Sequence, residues 1–281
     1  MIPPHLLERI PLLADGAPGD ALLMQHKQAA TSVGGLPEAF TLRRPEWVQG
    51  IHDAFFQAGA RVLRTNTAQA NAVSLAALEL QERCEAVNNS AMALLRAAVG
   101  QQALVMGTVG EIAPSVPLPD RERAYAQQLV YLCDTGTDFV LLDGFASLEE
   151  CLRVLRLARR AGDAPTLGVL RCDARGITPE AEPLLDGVQR LLDAECDAVG
   201  LCLDAPTTEP RALIEPVLAL EAPTAVFLDG GSPGALSPNT YAARLAPLAD
   251  LRVVILGGGR HIGPAHVAAL AKALPPPKEH P

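Results

Sequence analysis

The sequence predicts a (β/α)8 TIM barrel of the α/β class, on three observations. Eight short runs rich in leucine or β-branched residues recur along 281 residues. They are separated by longer amphipathic stretches of Ala, Leu, Arg and Glu, so each repeat reads as a strand followed by a helix. The runs are continuously apolar rather than alternating, as parallel strands covered on both faces should be. A doubly wound open sheet is the architectural alternative, but eight βα units are the number that closes a barrel.

Taken in order, the predicted strands are residues 11–15, 62–65, 103–107, 139–143, 166–170, 198–202, 224–228 and 253–256. Helical patterns between them include 47–58, 76–99, 121–135 and 148–161. No break in composition marks an internal boundary, so residues 1–274 read as one barrel. Residues 275–281 carry four prolines and read as a tail that cannot continue a helix.

Hydrophobic residues make up 49% of the chain and aromatics only 4%, so the core must be built mainly of Ala, Leu and Val. The net charge of -9 argues against a nucleic-acid surface, which needs a clustered basic face. Arg43-Arg44 and Arg159-Arg160 are short pairs that read as solvated helix ends. Met1 to His5 show no basic stretch leading into an apolar run, and no segment approaches a membrane span. A cytoplasmic protein that does not enter membranes is expected. The six cysteines form no Cys-x-x-Cys pair; Cys84, Cys133 and Cys151 read as buried small hydrophobes in a reducing compartment.

In a barrel, function gathers where strands end. Those ends read Asp15-Gly16, Thr65-Asn66-Thr67, Gly107-Thr108, Asp143-Gly144, Arg171-Cys172-Asp173, Cys202-Leu203-Asp204, Asp229-Gly230-Gly231 and Gly257-Gly258-Gly259-Arg260-His261. Any one of these is an ordinary cap or turn residue. Collected on one rim, they point to a small-molecule site.

At the same strand ends the chain resembles the homocysteine S-methyltransferase family. Asp15-Gly16-Ala17-Pro18-Gly19-Asp20 is similar to the family's Asp-Gly-Ala-Met-Gly-Thr. Leu42 to Val48 with Ile51-His52 and Ala58-Gly59-Ala60 matches its second segment, and Thr65-Asn66-Thr67 with Gln69-Ala70-Asn71 is the most specific agreement. Val199-Gly200-Leu201-Cys202 resembles Gly-x-Asn-Cys, and Leu256-Gly257-Gly258 with Pro264 and His266 follows the frame of Gly-Gly-Cys-Cys-Gly-Thr-Thr-Pro-x-His. The resemblance runs the length of the chain.

It implies methyl transfer to the thiol of homocysteine, giving methionine, at a zinc ion held by three thiolates. Cys202 falls on the first ligand, as the residual metal or catalytic thiol contact. The other two ligand positions hold Gly259 and Arg260, which cannot complete a trithiolate cage. Asp143 stands where the family's Glu binds the substrate amino group, and Asp229 where it has Asn. Asp15, Gly16, Asn66 and Thr67 would shape the pocket for an amino-acid-sized thiol. Arg260 is the candidate for lowering a thiol pKa without metal.

Three alternatives stand beside this reading. Cys172 and His261 could join Cys202 in a rewired metal site. Gly258, Gly259 and Arg260 could instead bind an anionic, phosphorylated ligand. Or the barrel could be a non-catalytic partner of a separate cobalamin- or folate-binding protein, since fold alone does not establish catalysis.

Overall fold

The computed structural model describes residues 11–275; the first ten residues, Met1 to His5 among them, and the tail from residue 276 onward lie outside the described residues. Eight parallel strands form one sheet: β1 Leu12–Leu13, β2 Val62–Arg64, β3 Leu104–Gly110, β4 Phe139–Phe145, β5 Thr166–Cys172, β6 Ala198–Leu203, β7 Thr224–Leu228 and β8 Ile255–Gly258. Each pairs with its neighbour in sequence, and β1 pairs with β8. The remaining seam, β1 to β2, is joined by a parallel bridge between Ala14 and Val62. This closure excludes an open sheet.

The outer ring consists of α1 Pro45–Gln57, α2 Cys84–Val99, α3 Leu118–Asp134, α4 Leu148–Ala161, α5 Leu184–Asp193, α6 Arg211–Leu218, α7 Pro238–Leu245 and α8 Pro264–Ala273. Helix α4 shows why these stretches are helical. Ser147 caps its first turn by accepting the Glu150 N–H, and Arg159 and Arg160 sit in the last turn, where positive charge suits the helix dipole. Its buried face is Cys151, Leu152, Val154, Leu155 and Ala158, spaced at three and four residues and packed onto the strands. The helix expected over 76–99 is shorter than that pattern. Glu79 adopts a left-handed conformation (φ 58), which ends a short 3-10 turn at Ala76–Leu78, and α2 begins only at Cys84.

Strand residues alternate between two cores. Those facing the helices, such as Leu170, Cys172, Leu201 and Leu203, join the large outer core. Those facing inward, such as Met106, Leu141, Val169, Cys202 and Phe227, fill the barrel axis. On β4 this alternation is interrupted: Leu142 pairs with Gly168 but Phe145 with Leu170, leaving an extra residue at the strand's end. Gly144 accommodates it with φ 64, which few other residues tolerate. The bulge returns Phe145 to the outer core while Asp143 faces inward.

Among the described residues, no helix is long and apolar enough to cross a membrane.

Candidate functional site

A cavity of about 440 Å³ opens at the C-terminal mouth of the barrel. Its walls are the short helix Pro18–Gln25 after β1, the loop at 35–38, and the segments following β2 and β3. Its floor is made by inward-facing side chains at the ends of β2 and β4 to β8. Of the residues expected at a site, Asn66, Thr67, Asp143, Cys202, Asp229, Gly259 and Arg260 all line it.

Within that set, Asn66 and Thr67 serve chiefly to hold the walls. Asn66 donates from Nδ2 to the Pro37 carbonyl at 3.0 Å, tying down the 35–38 loop. The Thr67 hydroxyl donates to the Thr108 carbonyl at 2.8 Å, joining β2 to β3. Asp229, nearly buried, accepts the Arg260 backbone N–H at 2.7 Å on Oδ1. The Arg260 Nε and Nη2 both donate to its Oδ2, at 3.0 and 2.8 Å, so one edge of the guanidinium converges on a single carboxylate oxygen. Cys202 Sγ lies 3.5 Å from Asp229 Oδ1.

Burial pushes the Cys202 thiol well above the usual cysteine range, Asp229 and Asp143 add to the rise, and Arg171 and Arg64 oppose it. Cys202 is therefore a neutral thiol. Arg260, whose guanidinium is turned onto Asp229, also feels the Cys202 sulfur, but Arg171 and Arg64 are the cations that oppose the rise most.

Five expectations are corrected by the geometry. Asp15 does not line the cavity: it is completely buried beneath the floor, where Oδ2 accepts the Arg64 backbone N–H at 2.9 Å. Gly16 is also outside the lining; a side chain there would overlap the Ile262 carbonyl, so it permits a close backbone crossing. Gly258 and Gly259 present no free amides to an anion, because their N–H groups donate to the carbonyls of Asp15 and Leu228, each at 3.0 Å. Cys172 faces the opposite side of the sheet from Cys202, since consecutive strand residues alternate and Cys202 pairs with Arg171. His261 is held by a contact between Nδ1 and the Gly231 carbonyl and does not reach the cavity. A metal site of Cys172, Cys202 and His261 is therefore not assembled.

Two arginines on the floor carry signals that strand reading passed over. Arg64 is a charge inside an otherwise apolar run, and it is 1% exposed. Its Nη1 donates to the Gly258 carbonyl at 2.8 Å and pairs with Asp15 Oδ1 at 3.3 Å. Its Nε lies 3.5 Å from Asp143 Oδ2, and the guanidinium sits 4.5 Å over the Phe227 ring. Arg171 was legible as a strand-end residue, but only the fold turns it inward. Glu111, in the Pro-rich segment after β3, accepts the N–H groups of Ala146 and Ser147 at the start of α4.

Glu38, in the cavity wall, is 3% exposed, accepts the Gln69 N–H at 2.8 Å, and leaves Oε2 without a partner. Burial raises its pKa to about 7. A carboxyl raised in the fold contributes stability that is full below its unfolded pKa and lost as pH rises through the folded one. Asp15, also raised to about 7 by burial, acts in the same direction. His52, lowered to about 4 by burial, acts oppositely, its contribution being lost as pH falls below its unfolded value. Glu38→Gln is therefore expected to raise the melting temperature at pH 8 and leave it little changed at pH 5. Equal shifts at both pH values would refute this assignment.

The model of the homocysteine S-methyltransferase family matches residues 12–274. The chain belongs to this family. It is 24% identical to methionine synthase from Mycobacterium tuberculosis over 94% of its own length. It spans only about a quarter of that relative, 24% of its length. Among solved structures, the homocysteine methyltransferase MmuM from Escherichia coli, metallated form, superposes with a TM-score of 0.80 at 22% identity, covering 96% of this chain and 98% of that one. The 3-dehydroquinate dehydratase from Geobacillus kaustophilus superposes at 0.57 with 14% identity, covering 93% and 90%. These two likenesses speak to the barrel.

The family in general uses zinc, and the donors at this chain's mouth do not fit it. Among the described residues, no group of three or more His, Cys, Asp or Glu is arranged to hold a metal ion. Among the described residues, Cys202 is the sole sulfur in the cavity lining. A Cβ placed on Gly259 would lie 3.3 Å from Cys202 Sγ but would overlap Asp229 Oδ1. The Asp229 carboxylate thus fills the space a second thiolate would need, and the Arg260 guanidinium supplies the positive charge beside it.

Proposed function

We propose that this protein is a divergent homocysteine S-methyltransferase-like barrel that keeps a pocket for a small amino-acid thiol and has replaced the family's zinc centre with the Asp229–Arg260 ion pair. The observation that carries the reading is the position of Asp229 Oδ1, in contact with Cys202 Sγ and in the way of any side chain at 259. Asp143, at 23% side-chain exposure, is the floor carboxylate left accessible to a ligand ammonium group. Cys202, kept protonated by burial, packs against the ligand and donates toward Asp229 rather than acting as a metal thiolate. Methyl transfer to homocysteine is the inherited chemistry, and its zinc-activated form is impaired here.

The test is to incubate the purified protein with homocysteine and, in turn, S-methylmethionine, betaine and methylcobalamin, while measuring its zinc content. Substoichiometric zinc and slow or absent methionine formation are expected. One tightly held zinc per chain with brisk methionine formation would overturn the proposal.

A further inference from the structure

We infer that Arg171 is the receptor for the acidic group of the ligand, a carboxylate or a phosphate, and that the free edge of Arg64 supports it from the cavity floor. This rests on the cavity being a small-molecule site, and is independent of whether methyl transfer occurs.

Arg260 turns its Nε and Nη2 onto Asp229. The Arg171 side chain lines the same cavity, yet among the described residues it makes no hydrogen bond or salt bridge, and its buried Nε has no partner. A half-buried guanidinium with unmade hydrogen bonds is costly unless something completes them. Asp204 and Cys202 lie within its electrostatic reach, but neither is paired with it. Arg64 is more deeply buried, and its Nη2 is likewise unpartnered.

The neighbouring strand explains why an acid can enter here. The β4 bulge leaves Gly144, not a side chain, next to Arg171, with the Arg171 Nη2 at 3.9 Å from where a Cβ would stand. Asp143 faces the cavity one residue before that glycine and is not paired with Arg171. An anionic and a cationic side chain therefore stand on adjacent strands, unpaired with each other, facing one enclosed space. That is the complement of a zwitterion: ammonium toward Asp143, acidic group toward Arg171. A planar guanidinium meets a carboxylate or phosphate through two parallel N–H donors, which a lysine could not reproduce.

Isothermal titration under reducing conditions tests this with L-homocysteine, with its decarboxylated analogue 3-aminopropane-1-thiol, and with inorganic phosphate. The proteins are the wild type, Arg171→Gln and Arg171→Lys. Homocysteine is expected to bind the wild type, to weaken on the order of tenfold to a hundredfold in Arg171→Gln, and to recover only partly in Arg171→Lys. The analogue should bind weakly to the wild type and no worse to Arg171→Gln. Arg171-dependent binding of phosphate but not homocysteine would support the oxyanion receptor and sink the thiol reading of the pocket. Equal homocysteine affinity in wild type and Arg171→Gln, equal affinity of the analogue and homocysteine for the wild type, or no binding of any of the three would overturn the inference. Should Arg171→Gln fail to fold, the analogue against the wild type still decides it.

Discussion

Replacing Arg64 with methionine is expected to cost the fold about 3–5 kcal/mol, the range for removing one partner of a buried charge network. The guanidinium is 1% exposed and joins groups that are distant in sequence: Asp15 after β1, Asp143 on β4 and the Gly258 carbonyl on β8. Methionine would preserve much of the packing over Phe227 but leave the Asp15 side chain with only the backbone N–H of residue 64. Asp15 is raised to about 7 even with Arg64 present, so without it the carboxyl would hold its proton still more firmly. The cost should therefore be greatest above neutral pH and smaller near pH 5, where a protonated Asp15 carries no charge to compensate. Urea denaturation at both pH values measures it. Asp15→Asn in the same chain should recover part of the loss. A cost below about 1 kcal/mol at pH 8 would show that the network is not holding the barrel seam.

Returning a single sulfur to the last rim loop should do harm. In Gly259→Cys the new Cβ overlaps Asp229 Oδ1, so the carboxylate must move away from the Arg260 backbone and guanidinium and from Cys202. Overpacking of this kind costs about 1–3 kcal/mol, and the disrupted pair adds to it. Two sulfurs beside an arginine are not expected to retain zinc. The triple variant Asp229→Asn, Gly259→Cys, Arg260→Cys removes the charge and the guanidinium that hold residue 229 against position 259, leaving an uncharged amide free to turn aside, and brings three thiols to the ends of β6 and β8. It is expected to bind one zinc ion per chain, with proton release as the thiols ionise. Metal analysis after gel filtration, together with thermal melts, reads both effects. If Gly259→Cys is as stable as the wild type and holds zinc unaided, then Asp229 does not stand in a ligand's place.

The barrel was largely legible because its signals are local. All eight predicted strands are present, several displaced by only a residue or two; β1 is shorter, and β3, β4 and β5 run two or three residues further. The long helix expected from residue 76 failed because Glu79 takes a left-handed conformation, and nothing in an Ala- and Leu-rich run announces that. The site was legible in part. Asn66, Thr67, Asp143, Cys202 and Asp229 line one cavity as strand-end residues should. Cys172, one residue beyond Arg171, was misjudged because proximity to a strand end does not reveal which face a side chain takes.

What the sequence by itself determined is the closed ring of eight βα units and the absence of two sulfurs from the last rim loop. The first follows from composition and spacing within short windows of chain, and the second from the resemblance of residues 256–266 to the family's Gly-Gly-Cys-Cys frame. What only the tertiary structure decided is which rim residues look into the cavity and which charges answer one another. Inward or outward is a matter of strand phase, which the β4 bulge resets at Gly144. The pairings of Arg64 with Asp15 and of Arg260 with Asp229 join residues 49 and 31 positions apart, and exist only because the barrel brings their strands together.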